Sequence, residues 1–204
     1  MDVYLIVYLA FRLMPFLVAA ILSIAPLFNH NVRGLVYLFG MLLSVAATSF
    51  ISYIVSQFAP NILSASPITP SAACNAFSLS SDGTKTLVPL ELAILGYSAF
   101  YLIYSMAVNG LVQNNIATIL FFISAIIGTT YWIYTNSCYT LPACIVAVVV
   151  SGGFGTLWGY IVKKEMPTRQ YLFTPSNRQA CYRKDDYTFV CEDTDANGIV
   201  VPSK

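Results

Sequence analysis

Charge is the scarcest property of this sequence. Only 9% of the 204 residues are charged, whereas about a quarter are charged in an ordinary soluble domain. Hydrophobic residues make up 57% of the chain, more than a soluble fold of this size can bury. Histidine occurs once, as His30. The composition therefore excludes a soluble globular protein and leaves almost no residues for imidazole-based catalysis or metal binding.

Sequence motifs for catalysis are also missing. The chain contains no phosphate-binding P-loop, no G-x-S-x-G nucleophile elbow and no H-E-x-x-H zinc motif. It has no pair of matching interrupted segments of the kind found in secondary transporters. The net charge of +1 gives no reason to expect nucleic acid. We therefore expect a non-enzymatic protein with no cofactor, no metal and no nucleic-acid partner.

Long hydrophobic runs, in contrast, are abundant. A helix needs about 20 apolar residues to cross a bilayer, and five runs approach or exceed this length. The predicted spans are 3–28, 35–58, 88–108, 116–134 and 141–162. A loop rich in Pro and Ser, 59–87, separates the second span from the third. The predicted fold class is an all-α membrane protein, with a membrane body at 1–162 in the lipid bilayer and a soluble tail at 163–204.

The tail alternates short β-prone runs with turn signals. A hairpin that turns through residues 185–187 would place Cys181 opposite Cys191. The pair would form a disulfide in an oxidising compartment and remain as thiols in a reducing cytosol. We expect a small β-prone tail that docks a protein partner.

Basic residues predict the orientation in the membrane. Arg33 lies between the first two spans, and Lys163 and Lys164 follow the last one. An odd number of spans puts these positions on one side, and short loops rich in Lys and Arg stay in the cytoplasm. The sequence therefore predicts a cytosolic tail and an outer or lumenal N-terminus, with loop 59–87 on the outer side.

Small side chains recur at four-residue spacing on three spans, where they allow close approach of helices in lipid. Packing within the five-helix body is the simpler interpretation. The sharper hypothesis is contact with a second copy or another membrane subunit, in which case Gly155→Leu would disrupt assembly and leave membrane insertion intact. The residues are Gly40, Ser44, Thr48, Ser52 and Ser56 on the second span, Ser124 and Gly128 on the fourth, and Ser151, Gly155 and Gly159 on the last.

Two charged residues fall within predicted spans. Arg12 lies in the first span and Glu91 about one turn into the third. A structural ion pair, or an Arg12 side chain that reaches toward the outer surface, explains them without a transport function. The alternative is a small transporter or channel that uses both residues, because intramembrane charges often mark a functional site.

Three cysteines fall on the predicted outer side. Cys138 and Cys144 could close a small loop, or either could bond to Cys74. A lumenal thiol-disulfide enzyme using Cys138 and Cys144 is a further alternative, although the chain has no C-x-x-C motif. The favoured hypothesis remains a structural or assembly subunit of a membrane complex, such as a secretion machine, a respiratory-type assembly or a virion membrane layer.

Overall fold

The computed structural model describes residues 13–24, 33–58 and 88–165, and the backbone of two strands in the tail. These residues belong to two compact units, Met1–Tyr171 and Leu172–Lys204.

The described part of the first unit is helical. Four of its helices are long and apolar enough to cross a membrane. One of these four candidate spans includes the 3-10 turn Gln113–Asn115, which directly precedes its α-helix. The helices are α1 (Leu13–Ile24), α2 (Arg33–Phe58), α3 (Leu90–Val108), α4 (Ile116–Thr135) and α5 (Leu141–Glu165).

These helices confirm the prediction of a multi-pass helical membrane protein. Helices α2 to α5 agree with the predicted second to fifth spans to within a few residues at each end. Helix α1 lies within the predicted first span and is shorter than the other four. The rest of that predicted span, and loop 59–87, lie outside the described residues.

Two short reversals connect α3, α4 and α5, and both use a left-handed residue. Gly110, with φ 67°, follows α3, and the Leu111 amide then donates to the Met106 carbonyl at 2.9 Å. Ser137, with φ 54°, plays the same role after α4, where the Cys138 amide donates to the Ile133 carbonyl at 3.0 Å. These bonds satisfy carbonyls that a helix end leaves unpaired, and they end both helices.

Helix α3 is the centre of the membrane unit. In its most apolar 18-residue window 72% of residues are buried, against 22% to 33% for the other three long helices. Helices α2, α4 and α5 all pack against α3, and the contact between α3 and α5 is the most extensive. The described part of the first unit is thus a bundle in which α3 is enclosed and α2, α4 and α5 pack against it.

In the described part of the second unit, two strands form an antiparallel hairpin. Strand β1 covers Gln179–Asp185 and strand β2 covers Thr188–Asp193. Cys181 is the register partner of Cys191, as the predicted turn required. The register is irregular between Arg183 and Asp185, next to the turn.

Candidate functional site

The small-residue face of α2 points into the bundle. Gly40, Ser44, Thr48 and Ser52 are buried, and Ser56 is half-buried. The Ser44 hydroxyl donates to the Ser151 carbonyl of α5 at 3.5 Å.

The hydroxyl groups further along this face are satisfied within their own helix. The Thr48 hydroxyl donates to the Ser44 carbonyl at 2.8 Å, and the Ser52 hydroxyl donates to the Thr48 carbonyl at 2.7 Å. Hydroxyls bonded in this way need no water or ligand. The face is therefore a packing surface inside the chain.

The small residues of α5 pack against α3. A Cβ atom added at Gly155 would lie 2.6 Å from the Tyr97 carbonyl oxygen and 3.1 Å from the Tyr101 amide nitrogen. One added at Gly159 would lie 2.7 Å from the Tyr104 ring, and Ser151 is fully buried. Helix α3 of the same chain therefore lies against these residues, as the packing interpretation expects, and the subunit-contact hypothesis for them stays a prediction.

Helix α4 packs into the bundle with a different face from the one that carries Ser124 and Gly128. Ser124 is exposed and Gly128 is half-buried, and the Ser124 hydroxyl donates to the Phe121 carbonyl at 2.8 Å. The buried residues of α4 are Phe122, Ala125, Thr129 and Ile133. Ser124 and Gly128 therefore did not identify the inward face of α4, which combines the small residues Ala125 and Thr129 with the larger Phe122 and Ile133.

Three helices meet at Gly40, near the start of α2. The side chains of Trp158 on α5 and Tyr97 on α3 occupy the space that a side chain at Gly40 would need. The Trp158 Nε1 group donates to the Val36 carbonyl at 3.1 Å, and the Tyr97 hydroxyl donates to the Tyr37 carbonyl at 3.1 Å. The missing side chain at Gly40 thus lets two polar aromatic groups reach the α2 backbone.

Three fully buried tyrosines surround this junction. Tyr37, Tyr97 and Tyr101 are each 0% exposed, with ring centroids 5.5 to 5.8 Å apart. The Tyr37 hydroxyl lies 2.6 Å from the Ser98 hydroxyl, which itself donates to the Ile94 carbonyl. Since serine has one hydroxyl proton, Tyr37 is the donor to Ser98.

We name the set Gly40, Tyr37, Tyr97, Tyr101 and Trp158 the aromatic junction. Within it, the hydroxyls of Tyr37 and Tyr97 and the indole of Trp158 form hydrogen bonds between helices. Sequence reasoning missed the three tyrosines. The available signal was the pair Tyr97 and Tyr101, four residues apart and hence on one face of a helix.

Loss of one hydroxyl of the aromatic junction gives a measurable expectation. We expect Tyr97→Phe to lower the free energy of unfolding by about 1 kcal/mol, because it removes one buried hydrogen bond. Tyr53→Phe, at an exposed position of α2, should have no effect. The stability of both variants is measured by thermal unfolding in mild detergent, with alkylation of the buried Cys144 thiol as the readout. Equal stability of the two variants would contradict the assigned bond.

Of the two charged residues in predicted spans, only Glu91 lies in the described part of the chain. Glu91 is half-buried in the first turn of α3, and Arg12 lies outside the described part of the chain. Their pairing therefore stays a prediction. Within the described residues, no group of three or more His, Cys, Asp or Glu side chains is close enough to hold a metal ion.

The outer cysteines differ in state. Cys138 is disulfide-bonded, whereas Cys144 is a free thiol that is 1% exposed. The predicted loop closed by Cys138 and Cys144 is therefore wrong, since the disulfide of Cys138 does not include Cys144. Cys144 is packed instead among α3 and α4 residues such as Leu92 and Ile133. Cys74 lies outside the described residues.

A surface cleft of about 480 Å³ lies at the turn between α4 and α5. Its lining combines aromatic rings and hydroxyl groups, and none of the lining residues is charged. The lining residues are Tyr134, Thr135, Ser137, Tyr139, Thr140, Leu141 and Pro142.

The fold indicates a multi-pass α-helical membrane protein. In its described residues, the aromatic junction is the place where polar side chains connect three helices. No protein-family model, no curated protein and no solved structure matches the chain.

Proposed function

We propose that this chain is a non-enzymatic structural or assembly subunit of a larger membrane-embedded complex. A secretion machine, an accessory part of a respiratory-type assembly and the membrane layer of a virion are the kinds of complex in which such a subunit would serve. Its partners would be the lipid bilayer and either other membrane subunits or further copies of itself. The tail would dock a protein partner.

The observation that carries this proposal is that only a small fraction of the residues of α2 and α4 is buried inside the bundle. Seven of the 26 residues of α2 and four of the 20 residues of α4 are buried. Large aromatic side chains remain on the outside of both helices, including Phe50 on α2 and Tyr131 on α4. Outward faces of this size suit lipid and neighbouring membrane helices.

The positions of the helix ends support the proposed orientation. Arg33 begins α2, and Lys163 and Lys164 lie in the last turn of α5, which favours the cytosol for this side. The disulfide at Cys138 lies in the turn at the opposite end of α5. Disulfides persist in oxidising compartments, so both features favour a cytosolic tail. The N-terminus is outside if residues 3–28 form a fifth span.

The face of α4 that carries Ser124 and Gly128 is the surface we propose for a subunit contact. Ser124 is exposed and Gly128 is half-buried in the described bundle, whereas the other two predicted small-residue sets are largely buried. Small residues let a second helix approach closely in lipid.

Gly128→Leu is expected to weaken co-isolation with partner subunits, or self-association, by about tenfold, which corresponds to about 1.4 kcal/mol, because a leucine side chain would prevent the close approach of a second helix. The full chain should be extracted in mild detergent, purified through a tag, and its associated proteins quantified by mass spectrometry. Native mass spectrometry of the same sample gives the oligomeric state.

Ile123→Phe is the matched control for this experiment. Ile123 is also exposed on α4 but lies about 140° around the helix from Gly128, so this variant should associate normally. A wild-type chain that is a solitary monomer and turns over a substrate would contradict the proposed function.

A further inference from the structure

The two cysteines of the tail occupy facing positions in the hairpin. Cys181 on β1 is the Cα partner of Cys191 on β2. Directly opposite Cα atoms in an antiparallel pair are about 4.5 to 5.5 Å apart, and disulfides join Cα atoms about 4.4 to 6.8 Å apart. The strands therefore place the two residues at disulfide-forming distance without any change of register.

The register makes this pairing specific. Ala180 faces Glu192 in the same ladder. Successive residues of a strand point to opposite faces of a sheet, so position 192 belongs to the other face from Cys181. Position 191 is thus the register partner of Cys181, and position 192 is not.

The proposed orientation puts this pair in a reducing compartment, where cysteines remain as thiols. We infer that Cys181 and Cys191 form a reversible disulfide site, closed by exchange with a low-molecular-weight disulfide such as oxidised glutathione. This inference rests on the cytosolic tail of the proposed function, and it identifies a modification site in the region proposed to dock a partner.

The exchange follows ordinary thiol–disulfide chemistry. One cysteine thiolate attacks a sulfur of oxidised glutathione, forms a mixed disulfide and releases one reduced glutathione. The second cysteine thiolate then attacks the protein sulfur of the mixed disulfide and releases the second glutathione. The cysteine pair loses two electrons, the glutathione disulfide gains them, and the two thiol protons pass to the glutathione thiolates.

Closing the bond restricts the open conformations of the hairpin. An isolated two-stranded hairpin is marginally stable in water, and a crosslink between facing residues removes open conformations from the ensemble. Oxidation therefore shifts the tail toward the ordered hairpin. Reduction returns it to the equilibrium set by the strands alone.

The test uses the full chain in lipid nanodiscs, equilibrated with mixtures of reduced and oxidised glutathione. After acid quenching and alkylation, mass spectrometry of proteolytic peptides gives the fraction of Cys181–Cys191 disulfide. We expect this fraction to rise with the oxidised share and to return to zero when reduced glutathione is restored. Cys144→Ser should leave the curve unchanged. Absence of the bond, or glutathione bound separately to each cysteine, would overturn the inference.

Two register variants test whether the hairpin register, and not chance proximity in a flexible tail, determines which cysteines form the disulfide. Cys191→Ser combined with Glu192→Cys moves the thiol to the other face and should lower the equilibrium constant for bond formation at least about tenfold. A variant with Cys181→Ser, Cys191→Ser, Ala180→Cys and Glu192→Cys should restore it, because positions 180 and 192 also face each other. Equal constants for thiols at positions 191 and 192 would mean that the strands do not set the pairing.

The compartment is tested in intact cells with a membrane-impermeant maleimide. Cys181 and Cys191 should be labelled only after the plasma membrane is permeabilised, and labelling before that step would overturn the reducing environment. The glutathione experiment needs no partner protein. Its failure is therefore distinguishable from failure of the chain to co-isolate with other subunits.

Discussion

Gly155→Leu is expected to destabilise the membrane body itself, by about 3 kcal/mol. A Cβ atom at this position would lie 2.6 Å from the Tyr97 carbonyl oxygen, and that oxygen belongs to the backbone of the enclosed helix α3. Backbone atoms of a buried helix cannot rotate away as a side chain does, so α3 and α5 must separate. Unfolding in mild detergent, monitored by alkylation of Cys144, would show the loss before any assembly assay is made.

Gly153→Leu is the matched control for this experiment. It makes the same change two residues earlier on α5, where an added Cβ atom meets nothing within 4 Å. We expect its stability to lie within about 0.5 kcal/mol of the wild type, as for other surface changes. If both variants were equally unstable, the cause would be leucine in the α5 helix and not contact with α3.

Gly40→Ala is expected to cost about 2 kcal/mol of stability, because the added methyl group would collide with Trp158 and Tyr97. Moving the indole also breaks its 3.1 Å bond to the Val36 carbonyl. Combination with Trp158→Ala should relieve part of the collision. The cost of Gly40→Ala in that background should therefore fall by about 1 kcal/mol, measured as a double-mutant coupling energy.

Phe50→Ala provides the comparison for this coupling. Phe50 is an exposed aromatic residue of α2, more than two turns from Gly40. Its effect should add to that of Gly40→Ala within about 0.5 kcal/mol. Coupling to Phe50 as large as that to Trp158 would assign the effect to α2 as a whole and not to the aromatic junction.

The four long helices were predictable because their cause is local. Length and apolar composition decide whether a segment can cross a bilayer, and both are properties of the run itself. The spans at 35–58 and 141–162 were therefore predicted to within a few residues of α2 and α5. The helix ends at Gly110 and Ser137 depend on a left-handed backbone conformation. Glycine commonly adopts this conformation after a helix and serine does not, so only the end at Gly110 was predictable from the residue type.

The choice of packing face was less predictable. The small side chains predicted on α2 and α5 are largely buried, but on α4 the inward face carries Phe122, Ala125, Thr129 and Ile133 and not Ser124. Small residues show that close approach is sterically allowed. They carry no information about which helix makes the approach, so an internal contact and a subunit contact look alike in the sequence.

By itself, then, the sequence determined that this chain is a multi-pass helical membrane protein with a polar tail, because hydropathy and charge act segment by segment. Only the tertiary structure decided that α3 is the enclosed helix, that Gly155 contacts its backbone, and that Cys144 stays free. Those outcomes depend on which surfaces meet among segments far apart in the chain. The free energy of such contacts arises between helices and is a property of no single segment.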